Sequence, residues 1–157
     1  MDRNEIVRKF NEIEWPYAPY DHEARKQMAE RIARTGRLGA NLISYSNLVA
    51  GIAFNLPNVN GGKPFEIDTH NWRGLDRRIV GDFLGYISSV SYKEAGFMAT
   101  SLVVSLEENQ PSYIFFEWMK DLGILENLSE KAIEKFWVGE VTKAVAWYKK
   151  NPKGFEV

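Results

Sequence analysis

A chain of 157 residues, 45% hydrophobic and 13% aromatic, has the material for one ordinary core without disulfide or metal staples. It contains no cysteine, which excludes disulfides, thiolate metal centres and cysteine nucleophiles. A formal charge of −1, from 20 basic and 21 acidic side chains, argues against a general polyanion binder but leaves room for a local basic patch.

The first residues, MDRNEIVRKF, carry charges where a signal peptide needs an apolar run, and no apolar stretch reaches membrane-spanning length. The expectation is a soluble, cytoplasmic protein without a membrane partner. Residues 3–14 read as a short helix with Ile6, Phe10 and Ile13 on one side. WPYAPY at 15–20 breaks it, because each proline restricts its own φ and biases its predecessor away from helix. That segment reads first as a packed aromatic connector and second as a recognition surface. Asp21 caps a second helix to Thr35, with Ala24, Met28 and Ile32 inward, Gly36 as its end, and Arg25, Lys26, Arg31 and Arg34 among the basic residues on its other faces. A connector from Arg37 to Ile43 leads to a short helix from Tyr45, capped by Ser44, with Leu48, Val49 and Ile52 turned to the core.

Residues 54–74, with NLPNVNGGKP at their centre, form the least regular part, and a loop of this length in a compact domain is more often functional than not. The segment 75–104 organises the rest. Leu75, Ile79, Val80, Phe83, Leu84 and Ile87 recur as the stripe of a core-covering helix, Gly96 stops it, and 97–104 has the apolar, β-branched character of an interior strand. After a polar turn at 106–111, 112–122 reads as a buried helix closed by Gly123. A last helix starts at the cap Ser129 and ends before Asn151-Pro152. No internal repeat, low-complexity tract or linker is present, so residues 1–157 read as a single domain. The fold class is α+β, mostly helical, with about six helices and a small sheet.

Three constellations bear chemistry. In PFEIDTHNW, an extended chain would turn Glu66, Asp68 and His70 to one face, a spacing suited to a divalent metal (Asp68 and His70 as ligands) or to acid/base work. Surface or capping roles are the plainer reading of the same residues. Arg73, Arg77 and Arg78 cluster at the start of the long helix, where unpaired amides and the helix dipole already favour anions; Asp76 and Asp82 are the acids that would pair with them instead. The hydroxyls Ser88, Ser89, Ser91, Thr100 and Ser101 lie in no Gly-x-Ser-x-Gly elbow, and His22 and His70 are the only imidazoles. With no phosphate-binding glycine fingerprint, no cofactor is expected.

ISYSNLVAGI, RRIVGDFL and TSLVVS resemble the winged-helix DNA-binding domain of alkylguanine-DNA alkyltransferases and their alkyltransferase-like relatives. Ser44-Tyr45 with Val49-Ala50 is similar to that family's Ser/Thr-Tyr helix, and Arg78-Ile79-Val80-Gly81 with Leu84 to its Arg-x-Val-Gly recognition helix. The resemblance implies a winged-helix-like segment at about 44–105, with Arg78 as the arginine inserted into the base stack and Tyr45 as a phosphate contact. About Thr100 and Ser101 stand where that family has its reactive cysteine and histidine, so DNA binding without alkyl transfer is what it implies here. The loop at 54–74 has no counterpart in that family. The leading expectation is a non-catalytic nucleic-acid-binding domain using Tyr45, Arg73, Arg77 and Arg78, supported by Arg25 and Lys26. The alternatives are a metal-assisted hydrolase or nuclease at Glu66, Asp68 and His70, and a protein-interaction module using the aromatic segments 15–20 and 113–119.

Overall fold

A computed structural model describes residues 2–39 and 42–157. Among them are six α-helices: α1 (Arg3–Asn11), α2 (His22–Arg37), α3 (Tyr45–Val49), α4 (Gly74–Ala95), α5 (Tyr113–Leu122) and α6 (Glu130–Lys150). Two strands of two residues, β1 (Ile43–Ser44) and β2 (Val103–Val104), pair in parallel with Ile43 opposite Val103 and Ser44 opposite Val104. The fold is mostly helical α+β, as the periodicity indicates. Of the connector expected from Arg37 to Ile43, Ala40 and Asn41 lie outside the described residues.

The helix starts follow local chemistry. The side chains of Asp2, Asp21, Ser44 and Ser129 each accept an amide from the first turn that follows, satisfying donors that a helix leaves open. Helix α1 stops at Asn11 rather than at 14, because the Trp15-Pro16 pair turns the chain and Ile13 packs from outside the helix. Helix α2 runs through Gly36 to Arg37. Gly36 is there for contact: a β-carbon on it would lie 2.7 Å from Cγ of Tyr148 on α6. Gly96, at φ +77°, closes α4 in the left-handed conformation and donates its N–H to the Tyr92 carbonyl at 2.9 Å.

Helix α4 is the shared wall of two apolar clusters. Ile79, Val80, Phe83, Leu84 and Ile87 face a core that also takes in Met28 and Ile32 of α2, Leu48 of α3 and Tyr148 of α6. Tyr92, near its other end, joins Ile6, Phe10, Phe116, Met119 and Ile133 in the second. Each such side chain, taken fully out of water, contributes about 1.5–3 kcal/mol. The WPYAPY connector is packed in part: the Trp15 ring lies edge-on to Tyr86, 6.0 Å between centroids, and a β-carbon on Gly85 would lie 2.7 Å from it, while Tyr20 is 64% exposed.

One element differs from expectation. Only Val103–Val104 of 97–104 is strand, and Ala99–Leu102 is a 3-10 turn. Side chains rather than a neighbouring strand meet its backbone: Ser91 Oγ accepts from Ala99 N at 2.9 Å and donates to the Phe97 carbonyl at 2.8 Å, and Glu140 Oε1 accepts from Met98 N at 3.0 Å. A segment whose amides are met this way need not extend.

Candidate nucleic-acid interface

The irregular stretch after α3 is a pinned excursion. Phe54 and Phe65 exchange backbone hydrogen bonds of 2.8 and 2.9 Å, and their rings stack at 5.8 Å. Phe54, Leu56, Val59 and Ile67 are buried beneath it. Asp21, besides capping α2, takes Asn55 N at 2.6 Å, and Trp72 Nε1 donates to Ser46 Oγ at 3.3 Å. The stretch therefore reaches the start of α4 on a fixed path.

At that start the three arginines part company. Arg73 is bound to Asp76: Nη2 meets Oδ1 at 2.8 Å, Nε meets Oδ2 at 3.1 Å, and the backbone amide of Arg73 donates to Oδ2 at 2.9 Å. The guanidinium holds the Asp76 carboxyl below its ordinary range, and the carboxylate in turn raises Arg73. Arg77 and Arg78 are exposed and enter no ion pair among the described residues. Asp82, the other acid expected to neutralise them, instead accepts from Tyr17 N at 2.9 Å and Ala18 N at 2.8 Å. Arg78 lies back along its helix, Nη1 being 3.7 Å from where a β-carbon of Gly74 would stand. Gly81, one turn on, is exposed with nothing near its missing side chain.

The expected supporting residues divide in the same way. Arg25 is not presented to solution as expected. It is buried, its guanidinium donates to the carbonyls of Ala18 and Val157, and it lies 5.2 Å over the Tyr86 ring. The acceptors that hold it there, on the connector at Ala18 and far along the chain at Val157, meet it only when the helices pack. Arg31 closes the end of α3, donating to the carbonyls of Asn47, Leu48 and Ala50 at 3.2, 2.9 and 2.8 Å. Lys26 is exposed on α2. Tyr45 is half-buried and its hydroxyl accepts from Ser112 N at 3.0 Å, tying α3 to the start of α5 while its own hydrogen stays available.

Glu66 and Asp68 line a cleft of about 330 Å³ with Asn60, Asn71 and Arg73, walled by Val59, Phe65 and Leu75. His70 is not among its lining residues; its amide donates to Asp68 Oδ1 at 3.0 Å in a local turn. The three-residue face expected from strict alternation is therefore not brought together, because residues 69–70 turn and break the extended chain. No group of three or more His, Asp or Glu among the described residues could hold a metal ion.

Sequence reasoning missed Glu140, a buried carboxylate on α6. Its signal was present: it falls between Phe136 and Ala144 at steps of four, on the apolar stripe. Among the described residues no helix is long and apolar enough to cross a membrane. No protein-family model, curated protein or solved structure matches this chain.

Proposed function

We propose that this chain is a non-catalytic nucleic-acid-binding domain whose contact surface is the first turns of α4. The observation that carries the reading is the pair Arg77 and Arg78: two adjacent guanidinium groups, exposed at a helix N-terminus, with no carboxylate of the described residues engaged to them. Arginine's planar fork suits phosphate oxygens, and the bare helix at Gly81 lets a backbone approach closely. Arg73, held by Asp76, sets the entry of the helix rather than meeting the ligand first. Lys26 and the free hydrogen of Tyr45 are the secondary contacts. The likeness of segment 44–105 to an alkyltransferase winged helix supports the same assignment, with α4 as the recognition helix and Arg78 as its leading side chain.

The test is titration of a labelled duplex at several salt concentrations with wild type and Arg77→Ala/Arg78→Ala. Loss of two phosphate contacts lowers the salt slope by about 2 and weakens binding across unrelated sequences. Equal affinity and slope in both proteins would end the proposal.

A second reading, a protein-interaction surface, rests on Tyr113 and Ile114, which are 49% and 74% exposed at the start of α5. An Ile114→Asp variant that loses a protein partner, while duplex binding stays at the wild-type level, would favour it.

A further inference from the structure

The turn NLPNVNGGKP, which the arginine surface does not use, holds the chain's single Asn-Gly pair, Asn60-Gly61. Both residues are exposed, and the backbone is left-handed at each, with φ +53° and +63°. Asparagine is among the few residues with a β-carbon that tolerate this conformation. Nothing of the chain comes within 4 Å of where a β-carbon of Gly61 would stand. The Gly61 amide is free as well. Gly62 N donates to the Val59 carbonyl at 3.0 Å and Lys63 N to the Asn60 carbonyl at 3.1 Å, whereas Gly61 N donates to no backbone carbonyl among the described residues. The Asn60 side chain is loosely held, Nδ2 reaching the carbonyls of Lys63 and Pro64 at 3.3 and 3.5 Å.

An uncrowded amide nitrogen without an acceptor therefore follows directly on a carboxamide. Asn109 provides the comparison within the same molecule. It is exposed and shares the φ of +53°, and among the described residues these two are the non-glycine positions in the left-handed region. Its successor, however, is Gln110, whose β-carbon crowds the nitrogen that would have to attack. Asn151 precedes Pro152, whose nitrogen carries no hydrogen.

We propose that Asn60 is a self-modifying site, lost by intramolecular deamidation. Gly61 N bonds to Asn60 Cγ, the Cγ–Nδ2 bond breaks, and the amide proton of Gly61 leaves with that nitrogen as ammonia. Water then opens the cyclic imide at either carbonyl, giving aspartate or, where the main chain is rerouted through the side chain, isoaspartate. Reactants held in one chain replace a bimolecular attack with an intramolecular one. The product carboxylate has no N–H for the Lys63 and Pro64 carbonyls and joins Glu66 and Asp68 on one cleft, so the modified turn is more acidic and less tethered.

The test incubates the whole folded protein in heavy-oxygen water and follows every asparagine by peptide mass spectrometry. Asn60 is expected to exchange amide for acid roughly tenfold faster than Asn109, with a labelled oxygen incorporated and isoaspartate among the products. The rate rises with pH, because the attacking nitrogen must shed its proton. Gly61→Ala slows the reaction by roughly tenfold. Gly62→Ala, at φ +77° and outside the reacting pair, keeps it fast. Both variants place alanine in the left-handed region, so a difference between them reports the reaction and not the strain. Asn60 reacting no faster than Asn109, aspartate formed without isoaspartate, or equal rates in Gly61→Ala and Gly62→Ala each overturns the assignment.

Discussion

Arg73 and Asp76 are joined three times at the mouth of α4, twice through the guanidinium and once through the backbone amide of Arg73. Asp76 is 1% exposed while the side chain of Arg73 is 59% exposed, so the carboxylate is the structural partner and the arginine its lid. That asymmetry leaves Arg77 and Arg78 as the free cations of the turn. Asp76→Ala opens the helix start and destabilises the fold by about 1 kcal/mol, measured by denaturant unfolding. The lowered carboxyl fixes the sign in acid. Its contribution is present above the ordinary aspartate value of 3.8 and is lost as pH falls through the lower folded value. Asp76→Asn therefore flattens the acid limb of the stability curve.

Glu140 has the opposite sign. Burial raises its carboxyl above the ordinary glutamate value of 4.5, against the opposing pull of the Met98 amide and Lys143. Its contribution is full below 4.5 and is lost as pH rises through the raised folded value. Wild type is thus expected to lose stability across that window relative to Glu140→Gln, whose amide oxygen still accepts from Met98 N. Thermal unfolding over a mildly acidic pH series checks this, and parallel curves for the two proteins would refute it.

The glycines of α2 and α6 are expected to respond oppositely to a single methyl group. Gly36→Ala drives a β-carbon into the Tyr148 side chain, whose Cγ and Cβ would be 2.7 and 2.9 Å away, and overpacking of this kind costs about 1–3 kcal/mol. Gly139→Ala meets nothing and raises helix propensity, stabilising the fold by up to about 1 kcal/mol. Urea midpoints of the two variants should move in opposite directions.

Arg25 and Lys26, adjacent in sequence, separate structure from binding. Arg25→Ala removes the donor to the Ala18 carbonyl and the cation over Tyr86, and is expected to lower unfolding stability by about 1–3 kcal/mol. Lys26→Ala, on the exposed face, leaves stability within about 0.5 kcal/mol and reduces only the salt-dependent part of duplex affinity. A stability loss at Lys26 and none at Arg25 would invert the assignment.

Helix starts at Asp21, Ser44 and Ser129 and the left-handed stops at Gly96 and Gly123 were legible because caps act within a turn of where they stand, whereas the ends of α1 and α2 were not. The apolar stripe of α4 was legible for the same reason, since a period of 3.6 is written in one contiguous segment. What a charged or polar group does was not, because that depends on which distant atoms reach it. Arg25 meets carbonyls of the connector and of Val157, Asp82 meets the amides of Tyr17 and Ala18, and Glu140 meets Met98 across the fold. The stack of Trp147 on Phe155, 3.9 Å apart and 3° from parallel, likewise brings the tail after α6 back onto the core. Amino-acid order thus determined the helices and the arginine-rich helix start, though not the 3-10 turn at Ala99–Leu102. Apart from local pairs such as Arg73 with Asp76, tertiary structure decided which charges are engaged and which are free, because hydrogen-bond partners far apart in sequence meet only when the helices pack.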